Sequence, residues 1–218
     1  MRQQVEDCVI SLQDRIGRAF ETLGPSAPEF KRDSWVRAEG GKGQSCVFAC
    51  PPADDNAVAP VTVLEKAGMN ISIMHGTLPP AAIKQICADH TSIPLPDRED
   101  GLPFFAAGIS LVIHPRNPNA PTVHGNYRYF EITEPKTNTN DAELGGSKLL
   151  SWQFGGRCDL TPSYLFEEDA VHSIPLSRRL ATCTDLCSTL HSRNGVTSTF
   201  LFLIGMRHAG LVGSFSMT

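Results

Sequence analysis

The sequence is short of several features that would assign this 218-residue chain to a specialised class. Lys and Arg number 19 against 23 Asp and Glu, so no cationic surplus indicates nucleic-acid binding. The longest apolar run late in the chain, residues 200–204, is far too short to span a bilayer. The first ten residues contain acids and no long apolar stretch, so we expect neither a secretory signal nor a transit peptide, and hence a cytoplasmic location.

The cysteines lack the spacing of a zinc site or of a CxxC redox motif. Their number, seven, is odd, and no second cluster accompanies the two closest pairs. Free thiols in a reducing compartment are therefore expected. The seven are Cys8, Cys46, Cys50, Cys87, Cys158, Cys183 and Cys187.

What the sequence does contain predicts an α+β domain with a broad antiparallel sheet. Apolar residues recur every three or four positions from Val5 to Leu23, which predicts an amphipathic helix ended by Gly24-Pro25. A second helix is predicted over 78–90 and a third over 161–172, where Thr161 is the N-cap. Because strands and helices follow no βαβ rhythm, an antiparallel sheet is favoured. Strands are predicted at 46–49, 69–76, 108–114, 127–132 and 148–154, with a turn at 155–159.

The densest cluster of chemically active residues lies in "SLVIHPRNPNAPTVHGNYRYFEI". His124, Asn126 and Arg128 alternate, so on a strand they share one face. Arg can bind a carboxylate through two parallel hydrogen bonds, and His can move a proton near neutral pH. The pattern indicates a site for an anionic substrate, and the alternative is an exposed polar edge strand without a site.

Two further sets of residues allow competing interpretations. His114 and His124 could both bind a metal, but they stand ten residues apart without a carboxylate or Cys at helical spacing, so we expect no metal site. Asp159 could accept hydrogen bonds from a ligand, but from the pattern alone it is better explained as part of a helix cap. Cys158 has no indicated base and is discounted as a nucleophile.

Three segments carry a specific resemblance to a known family. "EKAGMNISIMHG", "FFAAGISLVIHPRNPNAPTVHGNYRYFEI" and "GGRCDLTPSYLFEEDAVH" strongly resemble oxygen-dependent coproporphyrinogen III oxidase, and the match runs from about Val5 to His172. The resemblance implies oxidative decarboxylation of two propionates of coproporphyrinogen III to vinyl groups by O2, which gives protoporphyrinogen IX for haem biosynthesis. It also implies a broad antiparallel sheet with helices on both faces, a homodimer and no organic cofactor.

The resemblance also implies roles for individual residues. His124 matches the family's proton donor, and Asp159 matches an Asp thought to face the pyrrole N–H groups. Ser110, Asn126, Tyr127 and Arg128 match substrate-contacting positions. Some bacterial members are credited with a divalent metal at positions matching His114 and His124, and this is not carried over. The family usually has Gly where Arg157 stands, so this cation either crowds the macrocycle or pairs with a propionate.

The resemblance stops at His172, where the composition also changes. The last 46 residues contain 13 Ser or Thr, four Arg and one acid, but no Lys, Glu, Trp or Tyr. Their net charge is +3, against −7 for residues 1–172. We therefore expect residues 1–172 to be the N-terminal part of a single oxidase domain and residues 173–218 to be an aberrant, disordered tail.

A shift of the reading frame explains this change. "VHSIPL" can be spelled GTG CAC TCC ATT CCG TTG, and one T added after CAC gives V-H-F-H-S-V, which restores a paired His typical of the family. The same frame can continue as "FKKWCDEYFFIPHR", rich in residues that have few codons. The exact chain is then expected to be poorly folded and inactive. The alternative function is a truncated, inactive or merely porphyrinogen-binding remnant.

Overall fold

The computed structural model describes residues 1–23, 27, 29–49, 62–89, 95–135, 148–169, 171, 200–207 and 210–217. In these ranges the chain forms one antiparallel sheet with two helices, so the predicted α+β class is confirmed. In chain order the elements are α1 (Arg2–Glu21), β1 (Lys31–Val36), β2 (Gly41–Ala49), β3 (Leu64–Leu78), α2 (Pro80–Asp89), β4 (Leu102–Pro115), β5 (Thr122–Thr133), β6 (Leu149–Thr161), β7 (Phe200–Arg207) and β8 (Gly210–Met217).

The sheet is a meander from β1 to β6, in which each strand pairs with the next along the chain. The central strands are longer than their predicted segments, because the polar residues that flank each apolar core continue the same pairing. The sequence did not predict β1, since all six of its residues are exposed and give no apolar alternation. Gly40 and Gly41 have φ values of 105° and 101°, which suit the turn that joins β1 to β2.

One face of the sheet, the α1 face, is buried beneath the first helix. Val5 and Val9 of α1 pack on Ile71, Ile109 and Tyr129 of β3, β4 and β5. The helical spacing of these valines meets the twofold alternation of the strands, so both apolar patterns end in the same core. Gln13 is buried within α1 and donates a 2.7 Å hydrogen bond to the carbonyl of Met69, which fixes the helix on β3.

Ion pairs tie both ends of α1 to the sheet. Near the start, Arg2 donates to the buried carboxylate of Glu131, which also accepts a 2.5 Å hydrogen bond from the Tyr129 hydroxyl. Near the end, Arg32 donates to Glu21 at 2.9 Å. The hydrogen bond from this guanidinium, together with one from the Phe30 amide, lowers the pKa of Glu21. The same hydrogen bond to Glu21 raises the pKa of Arg32. The helix is therefore held by charge at its ends and by apolar packing between them.

The second helix packs on the opposite face, at one end of the sheet. Ile83 of α2 contacts Leu102 and Ile132, which lie on the other side of β4 and β5 from the residues beneath α1. Helices therefore flank both faces of the sheet, as expected. No helix in the described part of the chain is long and apolar enough to cross a membrane.

The predicted turn at 155–159 is wrong, and the helix predicted over 161–172 does not begin at Thr161. β6 continues without a break through Gly155 and Gly156 to Thr161, and helical backbone first appears at Glu167. Glycine inside a strand often marks a close approach of another group rather than a turn. Asp159 is therefore a strand residue and not part of a helix cap.

The tail adds a hairpin to the sheet, which differs from the expectation of disorder over 173–218. β8 pairs with β6, and β7 pairs with β8 at the outer edge. An open strand edge presents unpaired backbone groups, so an extended segment can join it whatever its side chains are. His172 and residues 173–199, where the predicted change of frame begins, lie outside the described residues.

Candidate functional site

The face of the sheet opposite α1, here called the polar face, gathers the predicted site residues. The strand register sets Ser110 opposite Asn126 and His124 opposite Asp159, while Arg128 lies opposite Gly155. These positions alternate with the buried residues of the α1 face, so they point away from the core. The three central strands thus bring five of the six predicted residues onto one surface.

His124 and Asp159 form the closest polar pair of this face. One carboxylate oxygen of Asp159, Oδ1, lies 2.6 Å from Nδ1 of His124 and accepts a 3.0 Å hydrogen bond from the His124 backbone N–H. The His124 side chain is 40% exposed and that of Asp159 is 22% exposed. With Nδ1 held by the carboxylate, Nε2 is the ring nitrogen left to give or take a proton.

His114 approaches the same imidazole edge-on. The two ring centroids lie 6.0 Å apart at an interplanar angle of 86°. No group of three or more His, Cys, Asp or Glu side chains suited to a metal occurs among the described residues. The two-histidine metal hypothesis therefore gains no third ligand from this part of the chain.

Ser110 and Asn126 hold each other across the boundary between β4 and β5. The Asn126 amide donates a 2.5 Å hydrogen bond to the Ser110 hydroxyl oxygen. Both side chains are half-buried, so they have defined positions while still facing the open side of the sheet. Hydroxyl and amide groups fixed in this way can bind a carboxylate or a ring N–H group.

Small residues leave space above the middle of the polar face. Ser72 and Gly108 occupy neighbouring strands in the row that runs to Arg128, while the Trp35 ring lies over Gly43 at the start of the same row. On the same face of β3, in the row that contains His124, a Cβ added at Gly68 would meet no atom within 4 Å. The face is therefore low and open where a broad ligand could lie, with the His124–Asp159 pair to one side.

The apolar cluster beneath α2 limits this open area at the other end. Phe104 and Phe130 stack with ring centroids 5.9 Å apart, next to the positions where Ile83 packs. Between these rings and His124, a cavity of about 190 Å³ is lined by Arg128, Arg157 and five further residues of β5 and β6. The polar face thus combines an apolar margin with a cationic centre.

Tyr127 does not belong to this group. It lies between Asn126 and Arg128 in β5, so its side chain points to the α1 face, where it packs against the core. Burial is the main cause that raises its pKa, with a further contribution from its hydrogen bond with the Cys158 thiol. Strand alternation therefore separates the Tyr127 side chain from that of Arg128, and the role of Tyr127 as a substrate contact stays a prediction.

Two features of the site were missed when the sequence was considered alone. The pairing of His124 with Asp159 was not predicted, because Asp159 was assigned to a helix cap 35 residues further along the chain. Arg157 was expected either to crowd the macrocycle or to pair with a propionate, but its position opposite Asn126 on the polar face was not predicted. A prediction that β6 continues unbroken through the glycine pair would have placed Arg157 and Asp159 on the same face of the strand, and so would have found both features.

An open sheet face with an imidazole–carboxylate pair, a fixed amide and exposed guanidinium groups defines a class of site. Such a site can bind an anionic ligand and transfer a proton on it. The comparisons with known proteins specify the class further. The family model described as coproporphyrinogen III oxidase matches residues 4–198, so the chain belongs to the coproporphyrinogen III oxidase family.

Named relatives agree with this family. The chain is 44% identical over 172 residues to the oxygen-dependent coproporphyrinogen-III oxidase of Drosophila melanogaster. The aligned region covers 79% of this chain and 38% of that relative. The mitochondrial enzyme of Homo sapiens is 41% identical, with 79% of this chain and 33% of the human chain covered. The chloroplastic enzyme of Glycine max is 42% identical, with 79% and 39% covered. The chain thus spans less than two fifths of the length of these relatives.

Proposed function

We propose that this protein catalyses the oxidative decarboxylation of two propionates of coproporphyrinogen III to vinyl groups, with O2 as co-substrate and protoporphyrinogen IX as product. Each propionate carboxylate loses CO2, one proton and two electrons; one O2 per propionate takes up two electrons and two protons and leaves as H2O2. The observation that carries the proposal is the His124–Asp159 pair, which stands on the same open face as Arg128 in a chain of this family. The relatives' names describe those proteins as oxygen-dependent coproporphyrinogen-III oxidases.

The imidazole and carboxylate have separate tasks in this proposal. His124 transfers a proton at Nε2, while Oδ1 of Asp159 holds Nδ1 and so fixes the ring orientation. Among the described residues, Oδ2 of Asp159 has no hydrogen bond that would prevent it from accepting one from a pyrrole N–H. The single carboxylate can therefore orient the proton donor and bind the macrocycle at once.

The remaining residues bind and position the substrate. Arg128 takes a propionate carboxylate through its two-pronged guanidinium, which matches a carboxylate in shape and charge. The Ser110–Asn126 pair supplies a hydroxyl and an amide on the same face, two residues along the strand from Arg128. Coproporphyrinogen III has four carboxylates, which need donors such as Arg128, and four N–H groups, which need acceptors such as the Ser110 hydroxyl.

The direct test is conversion of coproporphyrinogen III by the purified protein in air and under nitrogen. We expect protoporphyrinogen IX only in air, measured after oxidation as porphyrin fluorescence. The same dialysed sample, free of added metal and organic cofactor, tests the further proposal that neither is needed. Absence of product in air from every form of the protein would contradict the proposed function. The comparisons do not favour the alternative of an inactive remnant.

We also propose that the tail arises from a change of reading frame. The shift in composition after His172 supports this, because the last 46 residues contain 13 Ser or Thr and a single acid but no Lys, Glu, Trp or Tyr. Sequencing the gene and its transcript across codons 165–180 tests it, because a T after the His172 codon restores the family-like frame. A transcript that encodes residues 173–218 as given, beside full activity of the 218-residue chain, would contradict it.

Two further properties stay predictions. A homodimer is expected for the in-frame protein, and sedimentation equilibrium would detect a mass twice that of the chain. The cytoplasmic location predicted from the N-terminal residues contrasts with the mitochondrial and chloroplastic names of the human and soybean relatives. Cell fractionation with an antibody against the protein distinguishes these compartments.

A further inference from the structure

Arg157 is a second cation on the polar face that the proposed reaction has not yet used. Its strand position is opposite Asn126, so it is the diagonal neighbour of Arg128 across the boundary between β5 and β6. Diagonal neighbours on one face of an antiparallel pair are about 7–8 Å apart, within reach of long side chains. Both side chains are exposed, and both line the cavity of about 190 Å³ on this face.

The surroundings of the two guanidinium groups are suited to an anion. Among the described residues, neither Arg128 nor Arg157 has an ion pair with a carboxylate. The same cavity is lined by the amides of Asn126 and Gln153, which add neutral donors. The glycine pair Gly155–Gly156 carries no side chain that would fill the space beside Arg128. Two adjacent cations around an open space repel one another until an anion lies between them.

We propose that Arg157 is a specificity-determining residue that binds, together with Arg128, one carboxylate group of the substrate. The proposal rests on the proposed function, which supplies a substrate with propionate arms. Arg157 stands two residues before Asp159 on the same face of β6, so the bound carboxylate lies about 7 Å along the strand from the His124–Asp159 pair. Arg157 thereby sets which carboxylate is held beside the proton-transfer group.

The test measures substrate binding without turnover. Because O2 is the co-substrate, coproporphyrinogen III can be titrated into the protein by calorimetry under strict exclusion of oxygen. We expect Arg157→Gln to weaken binding about tenfold, which corresponds to about 1.4 kcal/mol. Arg157→Lys keeps the charge but not the two-pronged shape, and is expected to recover only part of this loss. Arg98→Gln removes one positive charge from an exposed loop and is the matched control, with unchanged affinity expected.

A double variant asks whether the two arginines share one carboxylate. If they do, Arg128→Gln and Arg157→Gln together weaken binding less than the product of their single effects. Multiplicative effects would overturn the shared site. Unchanged affinity in Arg157→Gln overturns its role while leaving the proposed function intact, and tighter binding overturns it by showing that the side chain obstructs the face. Absence of binding by the unmodified protein overturns the proposed function and this proposal with it.

Discussion

The two faces of the sheet use the same strands for different purposes. On the α1 face, residues such as Ile71 and Ile109 are 2% and 1% exposed, and even the polar groups there serve to fasten the helix. On the polar face, the neighbouring residues in the same strands are half-buried or exposed and pair with one another beside open space. The comparison shows that a shift of one residue along a strand moves a side chain from the core-forming α1 face to the polar face that carries the candidate site.

The largest effect is expected from His124→Ala. General acid–base groups contribute about 10²–10⁴-fold to rate, so kcat should fall by that range while the melting temperature stays close to that of the unmodified protein. Steady-state turnover and thermal unfolding measure the two quantities. His75→Ala removes another exposed histidine, on the other side of β3, and is expected to leave turnover unchanged. Near-normal turnover in His124→Ala would remove this residue from the reaction.

The coupling between His124 and Asp159 sharpens this prediction. Asp159→Ala alone should also cripple turnover, by about 10²-fold, because the imidazole loses the group that holds Nδ1. Groups that act as a unit have non-additive effects, so the double variant should be little slower than His124→Ala. Full multiplication of the two losses would mean that Asp159 acts separately, through the pyrrole N–H groups alone.

Ile109→Ala and Ser110→Ala test the two faces at adjacent positions. Ile109 is 1% exposed in the core under α1, and removing three of its side-chain carbons should lower the free energy of unfolding by about 2–5 kcal/mol. Ser110→Ala lies on the polar face, and its cost should stay near 1 kcal/mol for the hydrogen bond with Asn126. Urea unfolding measures both. Equal losses would contradict the division of labour between the faces.

Gly68→Leu should change binding without a matching change in stability. The added side chain meets no protein atom within 4 Å of its Cβ, so unfolding should shift by no more than about 1 kcal/mol. The leucine occupies space where the ligand would lie, and we expect about tenfold weaker binding of coproporphyrinogen III in anaerobic titration. Gly43→Ala is the contrasting variant, because its Cβ would collide with the Trp35 ring. Unchanged affinity in Gly68→Leu would place the ligand elsewhere on the sheet.

The smallest effect concerns the ion pair that fastens the end of α1. Arg32 lowers the pKa of Glu21 in the folded protein, so this contribution to stability is present above the unfolded pKa and is lost as pH falls through the folded value. Because the pair is partly exposed, Glu21→Gln should lower the free energy of unfolding by only about 0.5 kcal/mol at pH 7. Under strongly acidic conditions it should lower it little. Urea unfolding at several pH values measures this, with Glu99→Gln as the control at an exposed loop position. A cost that persists in acid would contradict the assignment to the ion pair.

The sequence alone predicted much of the fold, because local patterns carry it. The periodicity of α1, the alternation in β3 to β5 and the lack of a βαβ rhythm gave the class and the antiparallel sheet. β1 could not be predicted, since an exposed edge strand has no apolar alternation. The continuation of β6 through Gly155 and Gly156 was missed because glycine pairs more often mark turns.

For the site, the sequence by itself determined the chemical inventory and the family. It placed His124, Asn126 and Arg128 on one face, because strand alternation follows from residue spacing, and its motifs identified the coproporphyrinogen III oxidase family. Only the tertiary structure decided which groups meet. The register of β5 against β6 brings Asp159 to His124 and Arg157 beside Arg128, and it turns Tyr127 to the α1 face. Pairing between strands depends on contacts across more than thirty residues of chain, which no local pattern specifies.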